Sequence, residues 1–203
     1  MSVDTHKYGY TLKGASVVLY RNKDLRHAQY FCYADWTGGM YTTPTIAGSR
    51  CTGLITQAWA SLVTIGEEGF MKNTRDILET AREIGRGIER IPGLELVGNV
   101  EVMIVCFRGT PDGPNIYTVG DMMTKRGWSL NTLQHPASVH LCCTMRHVGK
   151  ATVFLQDLTE SVTAARNMSS EGGNAAIYGM ASSLPAGPVD EMLRVYNDVV
   201  YKL

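Results

Sequence analysis

Residues 2–20, SVDTHKYGYTLKGASVVLY, set the frame for the chain. Their first half gathers an acid, an imidazole, an amine and two phenol rings around Gly9. Their second half, Ala15 to Tyr20, is β-branched and apolar, with Gly14 before it and Arg21-Asn22-Lys23-Asp24 after it. This pattern predicts a strand that ends in a turn, entered from a dense polar cluster. Lys7 has the company of a reactive amine, since His6 and Tyr8 flank it. A lysine condenses with a carbonyl only as the neutral amine, so its ordinary pKa of roughly 10.4 must be lowered by burial or a nearby positive group. Taken by itself, the His-Lys pair is a weak signal and reads more readily as part of a solvated loop.

With 203 residues the chain is long enough for a sizeable core. Apolar residues make up 44% and charged residues 19%, the balance of an ordinary globular protein. Nineteen basic residues offset nineteen acidic ones, which gives no overall pull toward nucleic acid or anionic lipid. The five cysteines are odd in number and show no C-x-x-C spacing, so a reducing compartment fits. No stretch approaches the ~18 apolar residues of a membrane span, and MSVDTHKYGY lacks the pattern of a signal peptide. The chain as written is therefore expected to be cytoplasmic, and the Asn167-Met168-Ser169 sequon carries no weight.

Beyond residue 20, Asp35 to Gly53 reads as a long loop of the kind that is usually functional. Leu54, Ala58, Leu62 and Ile65, then Ile77, Leu78, Ala81, Ile84 and Ile88, recur at helical spacing and predict two helices broken near Gly66 and Gly69. Pro92-Gly93 stops the second. After it, strands are expected over 94–97, 102–107 and 139–144, with helices over 116–127 and 150–165, so a second α/β unit begins near residue 92. Ser169 to Asn174 reads as a flexible connection, and residues 188–203 as a terminal docking helix.

Four stretches, in order, closely resemble segments of the sphingosine-1-phosphate lyases, within the pyridoxal-phosphate group that includes the group II decarboxylases. They are Ser2 to Tyr10 with Lys13-Gly14; Asp35 to Tyr41 with Thr43 to Arg50; Gly127-Trp128-Ser129-Leu130-Asn131; and Ala176-Ile177-Tyr178-Gly179-Met180. The resemblance implies an α/β chain corresponding to the carboxy-terminal part of fold type I. Residues 1–66 would close the cofactor-binding large domain, 67–91 would form a linking helix, and 92–203 would be the small carboxy-terminal α/β domain.

Carried over by position, the resemblance makes Lys7 the catalytic lysine that holds pyridoxal 5′-phosphate, and sets His6 beside the cofactor. Lys13, Ser49 and Arg50 would meet the phosphate of substrate or cofactor. On sequence alone Lys13 reads as a turn lysine, and Gly48-Ser49-Arg50 also suits a capping loop before the next helix. The implied reaction is retro-aldol cleavage of a long-chain base phosphate to a fatty aldehyde and phosphoethanolamine. Full-length relatives are expected to be homodimers, anchored in eukaryotes to the endoplasmic reticulum membrane by a helix absent from this chain.

Tyr8-Gly9-Tyr10 and Lys13-Gly14 after the reactive lysine argue for the lyase over an amino-acid decarboxylase, which remains the alternative together with a non-catalytic interaction module. Only six residues precede Lys7, whereas the family keeps the acidic partner of the pyridine nitrogen, the stacked ring and the phosphate loop upstream. The expectation is a truncated product, or a chain that needs a companion, inactive by itself. His135, His140 and His147 match no common zinc spacing, so no metal is expected. Adjacent Cys142 and Cys143 point to opposite faces of a strand, which makes at least one of them core.

Overall fold

A computed structural model describes residues 1–45, 47–167, 173, 176–178 and 185–201. The Ser169–Asn174 connection, apart from Gly173, lies outside these residues, as do Ile46, Gly179 and Met180 of the resembling stretches and Met168 and Ser169 of the sequon. The chain divides into two compact units, Met1–Met71 and Lys72–Leu203.

In the first unit, strands β1 (Ser2–Val3) and β2 (Val17–Val18) pair antiparallel, Ser2 facing Val18 and Val3 facing Val17. Met1 and Leu19 extend the pair with reciprocal 2.8 Å bonds. A short helix α1 (Lys23–His27) follows, its first turn capped by Asn22, whose side chain accepts from the Leu25 amide at 3.0 Å. Strands β3 (Phe31–Tyr33) and β4 (Tyr41–Thr43) form a second antiparallel pair inside and beside the stretch expected to be loop. Then α2 (Thr52–Ile88) begins.

The expected interruption of this helix falls on Gly66, at φ 65 and ψ 173, a conformation that side chains rarely adopt. Helical spacing continues on both sides of it, which is why the two segments read as one pattern with a break. Among the described residues of the first unit, only Thr5, at 6% exposure, is buried. Val18, Phe31, Trp36, Tyr41 and Trp59 are all exposed. The unit therefore gains little of the hydrophobic stabilisation that normally offsets the ordering of a chain.

The second unit has a true core. Ile77, Ala81, Ile84 and Ile88 recur at helical spacing and are each at most 4% exposed. Strands β5 (Leu94–Leu96), β6 (Ile104–Gly109), β7 (Asn131–Leu133) and β8 (Ser138–Cys142) form one sheet in the order β5-β6-β8-β7, antiparallel at every pairing. Period-two alternation buries Val105, Phe107, Val139 and Leu141 on one face, while Cys106 and His140 lie opposite each other on the other. Helix α3 (Ile116–Lys125) starts at Asn115, whose side chain accepts from the amides of Tyr117 and Thr118. It packs with α4 (Ala151–Ala165), which contributes Phe154 and Leu158 to the core.

Cys143 is fully buried just past β8, and Cys142 is half-buried. The closing helix α5 (Ala186–Val200) forms with Val189 half-buried, whereas Met192, Leu193, Tyr196 and Val199 are 52–67% exposed. The helical spacing was sufficient to make an amphipathic helix. It does not supply a surface to receive it.

Candidate active site

The Lys7 cluster is a tight double turn between β1 and β2. The Lys7 amide donates to the Asp4 carbonyl at 3.1 Å and the Tyr10 amide to the Lys7 carbonyl at 3.2 Å. Thr5 is the buried pivot: its carbonyl accepts from the Thr11 amide at 3.3 Å and its hydroxyl from the Thr11 hydroxyl at 3.1 Å. Gly9 passes against this pivot, and Tyr10 takes φ 55, the cost of so sharp a reversal.

Helix α2 fastens the turn. The Ser61 hydroxyl donates to the Gly9 carbonyl at 3.0 Å, Gln57 Oε1 accepts from the Leu12 amide at 2.9 Å, and the Tyr10 ring stacks on Phe70 at 6.1 Å. Gly14, at φ 115, lies against Leu54, where a Cβ would meet the leucine Cδ1 at 2.8 Å.

Within this frame the Lys7 side chain is 63% exposed, and its Nζ lies 2.9 Å from Asp4 Oδ2. The other carboxylate oxygen of Asp4 accepts from Ser16 Oγ at 3.1 Å. The hydrogen bond from Lys7 above all, and then that from Ser16, holds the Asp4 carboxyl below its usual range. His6 is half-buried and its Nδ1 is fully covered with no hydrogen-bond partner among the described residues. A buried polar atom left open in this way is uncommon and needs an explanation.

The structure gathers the sequence-predicted residues unevenly. Lys7 and His6 are adjacent in one turn. Lys13 is exposed at the exit of that turn. Ser49 and Arg50 are exposed on the loop before α2. Arg50 is turned onto that loop, its guanidinium donating to the Ala47 carbonyl, to the Gly48 carbonyl at 2.7 Å and to the Thr45 hydroxyl. No hydrogen bond or ion pair among the described residues joins Lys13, Ser49 or Arg50 to Lys7 or His6.

Sequence reasoning counted Asp4 in the polar cluster without giving it a role, and passed over Ser16, Gln57 and Ser61. Asp4 had a readable signal in its position three residues before Lys7. The other three meet the turn only through the fold.

In the second unit, Trp128 of the Gly127–Asn131 stretch is structural. Its indole donates to Asp157 at 2.7 Å and meets Phe154 edge-on at 5.0 Å, while Arg126 joins Asp157 at 2.9 Å and Glu160 at 2.8 Å. His147 stacks on the same indole at 6.2 Å and accepts from the Thr144 amide, and burial pushes its pKa down. Tyr178 of the last resembling stretch lies 5.2 Å from the Tyr117 ring. Among the described residues no group of three His, Cys, Asp or Glu side chains could hold a metal ion, and no helix is long and apolar enough to cross a membrane.

No family model matches the chain. A sphingosine-1-phosphate lyase of Dictyostelium discoideum is 45% identical over 188 residues, which is 91% of this chain and 35% of that protein. Among solved structures, a Burkholderia pseudomallei sphingosine-1-phosphate lyase matches with a TM-score of 0.74 and 41% identity, over 81% of this chain and 37% of that one. A Lactobacillus brevis glutamate decarboxylase, at 18% identity and a TM-score of 0.67 over 83% of this chain and 41% of its own, shares the fold. The chain thus spans about a third of the length of the curated relatives it matches, and its fold is part of that of the fold type I pyridoxal-phosphate enzymes. The turn bears on such a group in one respect: His6, next to Lys7 in sequence, keeps a covered Nδ1 without a hydrogen-bond partner among the described residues.

Proposed function

We propose that this chain, homologous over nearly its whole length to the sphingosine-1-phosphate lyases, carries the cofactor-lysine portion of a pyridoxal-phosphate-dependent carbon–carbon lyase that cleaves a sphingoid base 1-phosphate to a fatty aldehyde and phosphoethanolamine. The observation that carries this reading is the Asp4–Tyr10 turn. It is held by Gly9, Gln57 and Ser61, and it carries the consecutive residues His6, whose Nδ1 has no hydrogen-bond partner among the described residues, and Lys7. On this reading residues 1–66 belong to the large domain, 67–91 to a linking helix and 92–203 to the small domain.

Pyridoxal phosphate, when bound, supplies an electron sink for the pair left as the Cα–Cβ bond breaks. Lys7 Nζ would hold the group covalently and, once displaced by the substrate amine, would return a proton to the substrate carbon. His6 would meet the group through Nδ1. Lys13, Ser49 and Arg50 would receive phosphate oxygens, as a cation, a hydroxyl and a planar fork can. For Arg50 this requires leaving the Ala47 and Gly48 carbonyls, which occupy it here.

The chain by itself is expected to be inactive. Lys7 is largely in water, and among the described residues of the first unit only Thr5 is buried, so none of them excludes solvent from the amine. The same lack of a core supports association with further polypeptide of the lyase, in an enzyme assembled as a homodimer.

The test is co-expression of this chain with the remaining two-thirds of the Dictyostelium relative, followed by an assay for aldehyde released from sphingosine 1-phosphate. Release that disappears in Lys7→Ala supports the proposal. Undiminished release with Lys7→Ala refutes it, and turnover by the isolated chain refutes the need for the remainder.

A further inference from the structure

Asp4 stands where neither packing nor strand pairing requires an acid. Its carboxylate is divided between two partners, Oδ1 accepting from Ser16 Oγ at 3.1 Å and Oδ2 meeting Lys7 Nζ at 2.9 Å. Ser16 also donates to the Val3 carbonyl at 3.3 Å, so the acid is tied to the backbone where β1 and β2 meet. The groups that act on Asp4 are Lys7, Ser16 and, by charge alone, His6. One side chain therefore fixes the reactive amine to the strand pair, and does so in the protonated form, since only an ammonium makes this ion pair.

We propose that Asp4 is a positioning residue for Lys7, an electrostatic latch that parks the ammonium against the strand pair and must open before the amine can condense with an aldehyde. This inference rests on the proposed function and adds a regulating contact to it. Condensation needs Nζ to give a proton to solvent. Its lone pair then forms the bond to the aldehyde carbon, and the carbonyl oxygen leaves as water. The latch opposes the first of these events, and because the pair is exposed, salt weakens it.

The intact chain tests this without turnover. It is incubated with pyridoxal 5′-phosphate and cyanoborohydride, which reduces the condensation product to a stable secondary amine. Peptide mass spectrometry then follows the labelling rate of Lys7, with exposed Lys13 as internal reference. In wild type, added sodium chloride should accelerate Lys7 relative to Lys13. Asp4→Asn should label Lys7 roughly two- to fivefold faster, the range expected for loss of an exposed ion pair, and its relative rate should no longer rise with salt.

Asp4→Glu should restore the salt response, and Ser16→Ala, which keeps the charge, should retain it. A merely structural acid would change none of these salt responses. Equal rates and equal salt responses in wild type and Asp4→Asn overturn the latch, as does a salt response that persists in Asp4→Asn. Failure of the proposed function appears elsewhere, as lyase activity that survives Lys7→Ala, and leaves the labelling ratios untouched.

Discussion

Gly9 crosses the carbonyl of Thr5 so closely that a Cβ at position 9 would stand 2.5 Å from its oxygen. That oxygen belongs to the backbone and is held by the Thr11 amide, so it cannot give way as a flexible side chain would. Gly9→Ala should therefore open the turn, at a local cost on the order of 1–3 kcal/mol. The expected result is faster trapping of Lys7 by pyridoxal phosphate relative to Lys13, because the contact with Asp4 is lost with the turn, with the second unit's unfolding transition unmoved. Trapping equal to wild type would show that the turn does not depend on this approach.

The two units should respond very differently to loss of an aromatic ring. Phe154 is fully buried and meets Trp128 edge-on, so Phe154→Ala should lower stability in urea by about 3–5 kcal/mol. Phe31 is 58% exposed, and Phe31→Ala should change it by no more than about 0.5 kcal/mol. Similar costs at the two positions would contradict this division of the core.

Asp157 should contribute to the acid sensitivity of the second unit. The indole hydrogen bond from Trp128 and the Arg126 pair lower its pKa from the ordinary 3.8. The stability it contributes is complete above that unfolded value and is lost as pH falls through the lower folded value. Thermal melts in a series of acidic buffers should show a shallower decline for Trp128→Phe than for wild type. Parallel declines would rule out this carboxylate as a source of the acid sensitivity.

Thiol reactivity should divide by burial. Cys143 is fully buried and its pKa is pushed up to about 11, chiefly by desolvation, whereas Cys32 and Cys51 are exposed. A maleimide followed by peptide mapping should label Cys32 and Cys51 in the native protein and Cys143 only after denaturation. Rapid native labelling of Cys143 would mean that the region beyond β8 opens readily.

The parts of this architecture that were legible in the sequence are those in which a period is long enough to repeat. Helix α3 lies within the predicted 116–127, and the Gly66 break falls where the helical spacing was interrupted. Strands of two or three residues, such as Ser2–Val3 and Asn131–Leu133, hold too few alternations to stand out. Nor does an alternation of strands and helices reveal the antiparallel order β5-β6-β8-β7, which is set by contacts distant in sequence.

At the candidate site, Lys7 and His6 were singled out by the family resemblance, the His-Lys pair alone being a weak signal. The pairing of Lys7 with Asp4 depends on how the turn closes. The turning of Arg50 onto its own loop depends on unsatisfied carbonyls that no side-chain pattern displays.

Among the described residues of the first unit, one threonine is a very small interior. Backbone amides there should trade their hydrogens for deuterium through frequent local openings, while those of β6 wait for cooperative unfolding of the sheet. A protease would find the same gradient and digest from Met1 toward α2 before it reached Val105. Survival in a cell would then be decided by how soon those early residues meet a surface that shelters them.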